Sequence, residues 1–209
     1  ETRVGRRAIV SASLGGEFSS AINSAFLSLT TNNIITVVAA GNEQSDACNF
    51  SPASLGQSTP VISVGASNIV DHKPLYSNTG RCVSIGAPGD NIPGANFASN
   101  TSVIYHSGTS MATPHASGVA ALILEQNAAL SPQQVKNLML AWATPGAITG
   151  ATALGGGKNL LYSLIDVNQA PPERQDAFVP GPFTSAGSAV ATAGSAILLF
   201  SIPLLLLLL

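Results

Sequence analysis

Residues 107–118, with the sequence SGTSMATPHASG, include a serine that could act as a nucleophile. Gly108 permits a sharp turn, and the apolar residues after it predict a helix over Thr109–Gln126. Ser110 then lies near the helix N-terminus, where unpaired backbone N–H groups and the helix dipole favour developing negative charge. A serine so placed can attack a carbonyl carbon while its own N–H helps to hold the oxyanion. Pro114 is expected to be tolerated because the first helical N–H groups lack partners.

The same tripeptide before a helix is also typical of an ordinary helix start. The nucleophile elbow of α/β-hydrolases requires the pattern G-x-S-x-G, and Ala112 occupies its last position here. The local pattern therefore excludes that elbow and leaves both a catalytic and a purely structural serine open.

The surrounding elements alternate between strands and helices. The run 34–40 is apolar and rich in β-branched residues, which is typical of a strand buried on both faces of a parallel sheet. A helix follows a cap at Ser19 or Ser20 and continues to about Thr31, and another begins after Ser131 and continues through Ala143. Further strands are predicted at 7–14, 61–64, 82–85 and Val103–His106. This order predicts a layered α/β fold with a parallel sheet.

Composition limits the class of protein. Charged residues make up 9% of the chain, against about 25% in average domains, and the net charge is −2. Basic residues are few and scattered, so nothing indicates a nucleic-acid surface. Residues 1–168 are predicted to be one domain, 169–188 a Pro/Gly/Ser-rich linker and 189–209 an apolar tail. The first residue is Glu1, which favours a fragment or a processed product.

Three segments together resemble the subtilase family. GTSMATPHASG is similar to its serine motif, SLGG at 13–16 to its substrate-binding stretch, and VAAGN at 38–42 to the strand end with the oxyanion-hole asparagine. SPAS at 51–54, with VISVGAS and NTGRCVSIGAPG after it, resembles the proteinase K branch. The resemblance covers about residues 8–168. It implies a three-layer subtilisin-like α/β fold with a mostly parallel central sheet whose N-terminal part is missing.

The resemblance implies a role for each matching residue. Ser110 would be the nucleophile, and the side-chain amide of Asn42 would hold the oxyanion together with the Ser110 N–H. Substrate would bind as an added strand along Ser13, Leu14 and Gly15. The small residues that would line a roomy S1 pocket for apolar or aromatic side chains are Ala39, Ala40 and Gly41.

The mechanism also needs a histidine base and an orienting aspartate, which subtilases carry upstream of the serine. None of the three histidines, His72, His106 and His115, lies in the family's His-Gly-Thr context, and Asp90 is typical of a turn. We therefore expect an endopeptidase that hydrolyses proteins or peptides only when an upstream segment supplies both residues. An inactive, truncated module that binds extended peptides is the alternative. A membrane-anchored structural protein would not explain the three motifs.

The two cysteines, Cys48 and Cys82, indicate one disulfide if the protein is secreted, and two buried thiols otherwise. A sequon at Asn100 predicts glycosylation, whereas the sequon at Asn49 is disfavoured by the Pro52 that follows it. We expect an extracellular or cell-surface monomer.

The resemblance also bears on calcium. The proteinase K branch binds this ion with backbone carbonyls between SPAS and VGAS plus a carboxylate, and Ser84 occupies the carboxylate position here. Loss of the charged ligand weakens a site for a hard cation. We therefore predict no tight calcium at this site and no other cofactor, although upstream calcium sites stay open.

The chain ends in an apolar run of 14 residues, 196–209, which is shorter than the roughly 20 that span a bilayer. Small residues at 185–188, a spacer and an apolar tail match a GPI-attachment signal, with Ser185 or Gly187 as the attachment residue. A retained membrane anchor from about Ala189 and an artefact of gene prediction are the alternatives.

Overall fold

The computed structural model describes residues 7–150, 158–163 and 199–201. The predicted linker at 169–188 lies outside the described residues, as does the predicted apolar tail apart from Leu199–Ser201. The division into a domain, a linker and a tail therefore stays a prediction. No helix in the described ranges is long and apolar enough to cross a membrane.

Strands and helices alternate along most of the described chain. The strands are β1 Ile9–Ala12, β2 Gly16–Glu17, β3 Ile35–Ala39, β4 Phe50–Ser51, β5 Ile62–Ser67, β6 Ile85–Pro88, β7 Ile92–Ala95, β8 Val103–His106 and β9 Leu199–Ser201. The α-helices are α1 Ser20–Thr31, α2 Thr109–Gln126 and α3 Pro132–Trp142. Two 3-10 helices flank β4: η1 Ala47–Asn49 precedes it, and η2 Ala53–Gly56 lies between β4 and β5.

The central sheet has the order β6-β5-β3-β1-β9, and all its neighbouring strands are parallel. Two small antiparallel pairs, β2 with β4 and β7 with β8, lie outside it. Every residue of β3 and β5 is buried, and for β3 the apolar run 34–40 predicts this burial. The predicted α/β fold with a mostly parallel sheet is confirmed.

The helix that carries Ser110 packs across the sheet. The small residues Ala112, Ala116 and Ala120 of α2 are fully buried, so the helix lies close to β1, β3 and β5. At its far end Ile123 and Leu124 join the same core as Trp142 of α3. The position of Ser110 is thus fixed by the core rather than by a surface loop.

The local signals at helix starts are also confirmed. Ser19 caps α1 by accepting a hydrogen bond from the Ile22 N–H, and Ser131 forms a capping box with Gln134 at the start of α3. Pro132 occupies the first turn of α3, where a backbone N–H would have no intrahelical partner, so the N–H that proline lacks costs no hydrogen bond.

The strand predicted at 82–85 is wrong in its boundaries, because β6 begins at Ile85 and continues to Pro88. Gly80 has a φ of 96°, and the Val83 N–H donates to its carbonyl, so the chain is still turning there. The strand β7 was not predicted, because Pro93 and Gly94 disfavour strands; its place in an exposed hairpin tolerates both.

The predicted disulfide joins Cys48 to Cys82, with Cα atoms 5.2 Å apart and a sequence separation of 34. It connects the segment after β3 to the turn before β6. In the chain-entropy model a loop of this length stabilises the fold by roughly 4 kcal/mol. The alternative of two free thiols is wrong for this structure.

Candidate active site

All eight residues that the sequence predicted for catalysis and substrate binding line one cleft: Ser13, Leu14, Gly15, Ala39, Ala40, Gly41, Asn42 and Ser110. The first three follow β1 and the next four end or follow β3, so the carboxyl ends of neighbouring parallel strands form the floor. The cleft is also lined by residues that were not predicted, namely Gly16, Glu43, Phe50, Ala53 and Thr109.

Ser110 is half-buried in the first turn of α2. Its Oγ lies 3.5 Å from the Ser13 carbonyl oxygen, which is a long and weak hydrogen bond. No histidine within the described ranges is hydrogen-bonded to this Oγ. The hydroxyl is therefore exposed to the cleft and free to engage a base.

Pro114 lies in the second turn of α2, so the expectation that it belongs to the unpaired first turn is wrong. Its ring nitrogen cannot donate to the Ser110 carbonyl, which lies four residues earlier. The Ser13 hydroxyl donates to that carbonyl instead, at 2.7 Å. Ser13 thus holds the nucleophile's backbone with its side chain, a contact between residues 97 apart in sequence.

Asn42 is held by one end of its side chain. Its Oδ1 accepts hydrogen bonds from the Thr109 N–H at 2.9 Å and from the Thr109 hydroxyl at 3.0 Å. Thr109 is fully buried, and its hydroxyl in turn accepts from the Gly41 N–H at 3.1 Å. Because the oxygen is committed to the start of α2, the Nδ2 group is the end of the amide left to donate, and Asn42 lines the same cleft as Ser110.

Asn78 fixes the loop that follows β3, a role that no motif in the sequence indicates. It is 2% exposed; its Oδ1 accepts from the N–H groups of Glu43 and Ser45, while its Nδ2 donates to the Ala40 carbonyl and the Glu43 carboxylate. Gly41 has a φ of 102°, and a Cβ there would collide with both side chains. The pocket wall therefore requires this glycine. A polar residue in a turn-like segment such as NTG would not by itself indicate burial.

The remaining titratable candidates point elsewhere. His72, His106 and His115 are exposed, and the Nδ1 of His115 lies 2.9 Å from the Met111 carbonyl within α2. Asp90 lies beside Tyr76, whose hydroxyl donates to the Gly89 carbonyl at 2.9 Å. Burial, and secondarily Asp90, raise the pKa of Tyr76 to about 12. None of these side chains lines the cleft.

The described ranges contain no group of three or more His, Cys, Asp and Glu side chains close enough to hold a metal ion. Asn100 is exposed in the connection between β7 and β8, and Asn49 is exposed before β4. Glycosylation at Asn100 stays a prediction.

The chain is similar in sequence to a family of known proteins over most of its length. A family model described as the Subtilase family matches residues 4–199. The chain is 42% identical over 144 residues to the extracellular serine proteinase of Thermus sp. (strain Rt41A), covering 69% of this chain and 34% of that protein. It is 41% identical over 160 residues to alkaline serine exoprotease A of Vibrio alginolyticus, covering 77% and 29% respectively.

Among solved structures, a cold adapted subtilisin-like serine proteinase superposes with a TM-score of 0.68 at 38% identity, covering 75% of this chain and 55% of that one. The chain spans about a third of the length of the curated relatives it matches.

Proposed function

This chain belongs to the subtilase family, and we propose that it carries the nucleophile of a serine endopeptidase that hydrolyses peptide bonds through an acyl-enzyme on Ser110. The observation that carries this proposal is the Thr109–Asn42 pair, which fixes the oxygen of the Asn42 amide and leaves its nitrogen to donate in the cleft that Ser110 also lines.

The reaction follows from this geometry. The Ser110 Oγ attacks the scissile carbonyl carbon as its proton passes to a histidine, and the carbonyl oxygen becomes an oxyanion. The Asn42 Nδ2 and the Ser110 N–H donate to this oxyanion. The histidine returns the proton to the leaving amine, and water then hydrolyses the acyl-enzyme. We propose that the histidine and its aspartate come from a preceding segment, as in the family's order.

The substrate lies along the segment after β1. Ser13, Leu14 and Gly15 border the cleft, and β2 directly after them is already paired with β4, so an extended peptide would add to a partly formed sheet. The side chain before the scissile bond would enter the pocket between Ala39, Ala40 and Gly41, with Phe50 and Ala53 as further apolar walls. Apolar and aromatic side chains suit this lining.

Glu43 adds a charge to this pocket. It is the only ionisable residue that lines the cleft in the described part of the chain, and its carboxylate accepts from the Asn78 amide at 2.6 Å. Its negative charge should disfavour an acidic P1 side chain and tolerate a basic one. A charge interaction of about 1 kcal/mol corresponds to about fivefold in kcat/KM.

Glu43→Gln is therefore expected to lower kcat/KM about fivefold for a P1 lysine peptide and to raise it for the matched P1 glutamate peptide. The same peptides with P1 alanine should be cleaved at an unchanged rate. Glu125→Gln, at an exposed position near the end of α2, is the control and should leave all three rates unchanged. Equal changes in kcat/KM for the three peptides would show that the charge of Glu43 does not act on the P1 side chain.

The relative named as an extracellular serine proteinase supports an extracellular location for this protein. The disulfide fits an oxidising compartment. Protein or peptide substrates are the expected partners, and the protein is expected to be a monomer. Attachment to the membrane through the C-terminal segment, by a GPI anchor or a retained anchor, is a separate proposal.

Labelling with a fluorophosphonate probe tests the enzyme directly. The full-length protein should be labelled on one peptide, and mass spectrometry should place the adduct on Ser110. Ser107→Ala, which removes an exposed hydroxyl from the same motif, should leave labelling unchanged. A folded protein that binds extended peptides without being labelled would favour the inactive peptide-binding module instead.

A further inference from the structure

Lys136 of α3 is a buried cation without a buried anion. Only 4% of the residue is exposed, and its Nζ lies 2.5 Å from the Gly56 carbonyl oxygen, 2.7 Å from that of Thr59 and 2.9 Å from that of Val61. Burial lowers the pKa of Lys136 to about 8, and no charged partner in the described residues contributes. We call these three carbonyls with the ammonium the carbonyl cage.

The cage requires the protonated amine. A neutral amine has two N–H donors, whereas an ammonium has three, and three carbonyl oxygens surround the nitrogen. A pKa of about 8 keeps the group mostly protonated at pH 7. The interaction is therefore one cation held by backbone oxygens, which is the chemistry by which proteins bind hard metal ions.

The cage lies where the family resemblance implies calcium, between SPAS and VGAS, and the residues present do not fit that ion. The Ser84 hydroxyl, at the expected carboxylate position, is buried; it donates to the Gly56 carbonyl at 3.0 Å and accepts from the Ser63 N–H at 3.1 Å. Ser84 supplies no charge and has no free donor. Calcium takes six to eight oxygens, and the carbonyls near this position already bind an ammonium that would repel it.

We propose that Lys136 is a built-in cation that takes the place of a bound divalent ion at this site, so that this part of the fold is held together without calcium. The carbonyl of Gly56 ends the 3-10 helix η2, and η2 begins at Ala53, which lines the cleft. The ammonium thus ties α3 to a wall of the substrate pocket across 80 residues of sequence. This proposal does not depend on the protein being an active protease.

The first test is thermal melting of the full-length protein. Lys136→Met removes the charge at similar volume and takes the ammonium donor away from three carbonyls, of which that of Gly56 keeps the Ser84 hydroxyl. The Tm should therefore fall by about 5–10 °C. Lys73→Met is the matched control. The Lys73 Nζ also contacts three carbonyls, those of Pro74, Leu75 and Ser77, but it is half-buried, so water can replace it and the Tm should fall by less than about 2 °C. Equal losses in the two variants would overturn the proposal.

The second test measures calcium binding by equilibrium dialysis, which counts ions bound per molecule and so separates this site from any other. Ser84→Asp alone keeps Lys136 and should bind no more calcium than the parent protein. Ser84→Asp combined with Lys136→Ala opens the cage and restores the carboxylate, so it should bind one additional calcium ion and gain Tm when calcium is added.

An additional calcium ion in the single Ser84→Asp variant would show that the ammonium does not exclude the metal, and would overturn the proposal. A folded double variant that gains no calcium would overturn it as well, because the cage would then not be a cation site. The single Ser84→Asp variant retains the ammonium and the packing of α3. If the double variant does not fold, the calcium count of the single variant still decides whether the ammonium excludes calcium.

Discussion

Ser110→Ala is expected to lower the kcat of the full-length protein by about 10⁶-fold with little change in KM; the magnitude is that measured on subtilisin itself, a member of the same family. The loss is large because the serine, histidine and aspartate act as one unit. Ser110 is half-buried at the start of a helix fixed by the core, so the substitution should not disturb the fold.

The measurement is steady-state hydrolysis of a chromogenic peptide together with a melting curve. Ser107→Ala should retain full activity, because its hydroxyl only accepts a hydrogen bond from the Asn91 N–H. A Ser110→Ala protein that keeps more than a thousandth of the parent kcat, with contaminating protease excluded by active-site titration, would assign the nucleophile to another residue.

Asn42→Ala is expected to lower kcat by about 10²–10³-fold at nearly constant KM; this range also comes from the corresponding asparagine of subtilisin, so it is transferred within the family. The amide donates to the oxyanion only as it forms, and so it stabilises the transition state more than the bound substrate. The hydrogen bonds from Thr109 to Oδ1 orient the donor before substrate arrives.

Two further variants separate donation from packing. Asn42→Asp keeps an oxygen for Thr109 but loses the N–H donor, so its kcat should fall at least as far as that of Asn42→Ala. Asn137→Ala, at an exposed position on α3, should leave kcat unchanged. If Asn42→Ala raises KM and spares kcat, Asn42 binds substrate and does not stabilise the oxyanion.

Gly41 and Asn42 illustrate which features of the cleft the sequence predicts and which it does not. The motif VAAGN placed Gly41 and Asn42 at the end of β3, and the structure places both there. It did not indicate why Gly41 must be a glycine, because the obstacles are the side chain of Asn78, from a distant turn, and the Glu43 carboxylate that Asn78 holds. Nor did it indicate Thr109 as the residue that orients Asn42.

The sequence by itself determined the elements that depend on near neighbours. The caps at Ser19 and Ser131, the buried strand β3 and the helix that begins at Thr109 follow from hydrogen bonds and side-chain periodicity within a few residues. The disulfide was also indicated, because two cysteines allow a single intramolecular pairing. The serine motif and its match to a family placed Ser110 at the head of α2.

Only the tertiary structure decided which distant groups satisfy one another. The Ser110 carbonyl that Pro114 leaves unpaired is bound by Ser13 across 97 residues, Asn42 is oriented by Thr109 across 67, and the carbonyls before β5 are bound by Lys136. Lys136 is buried and the contacts of Ser13 and Asn42 are partly buried, so these polar groups have limited access to water and need partners within the protein. Packing of the sheet and helices chooses that partner, and no local pattern encodes it.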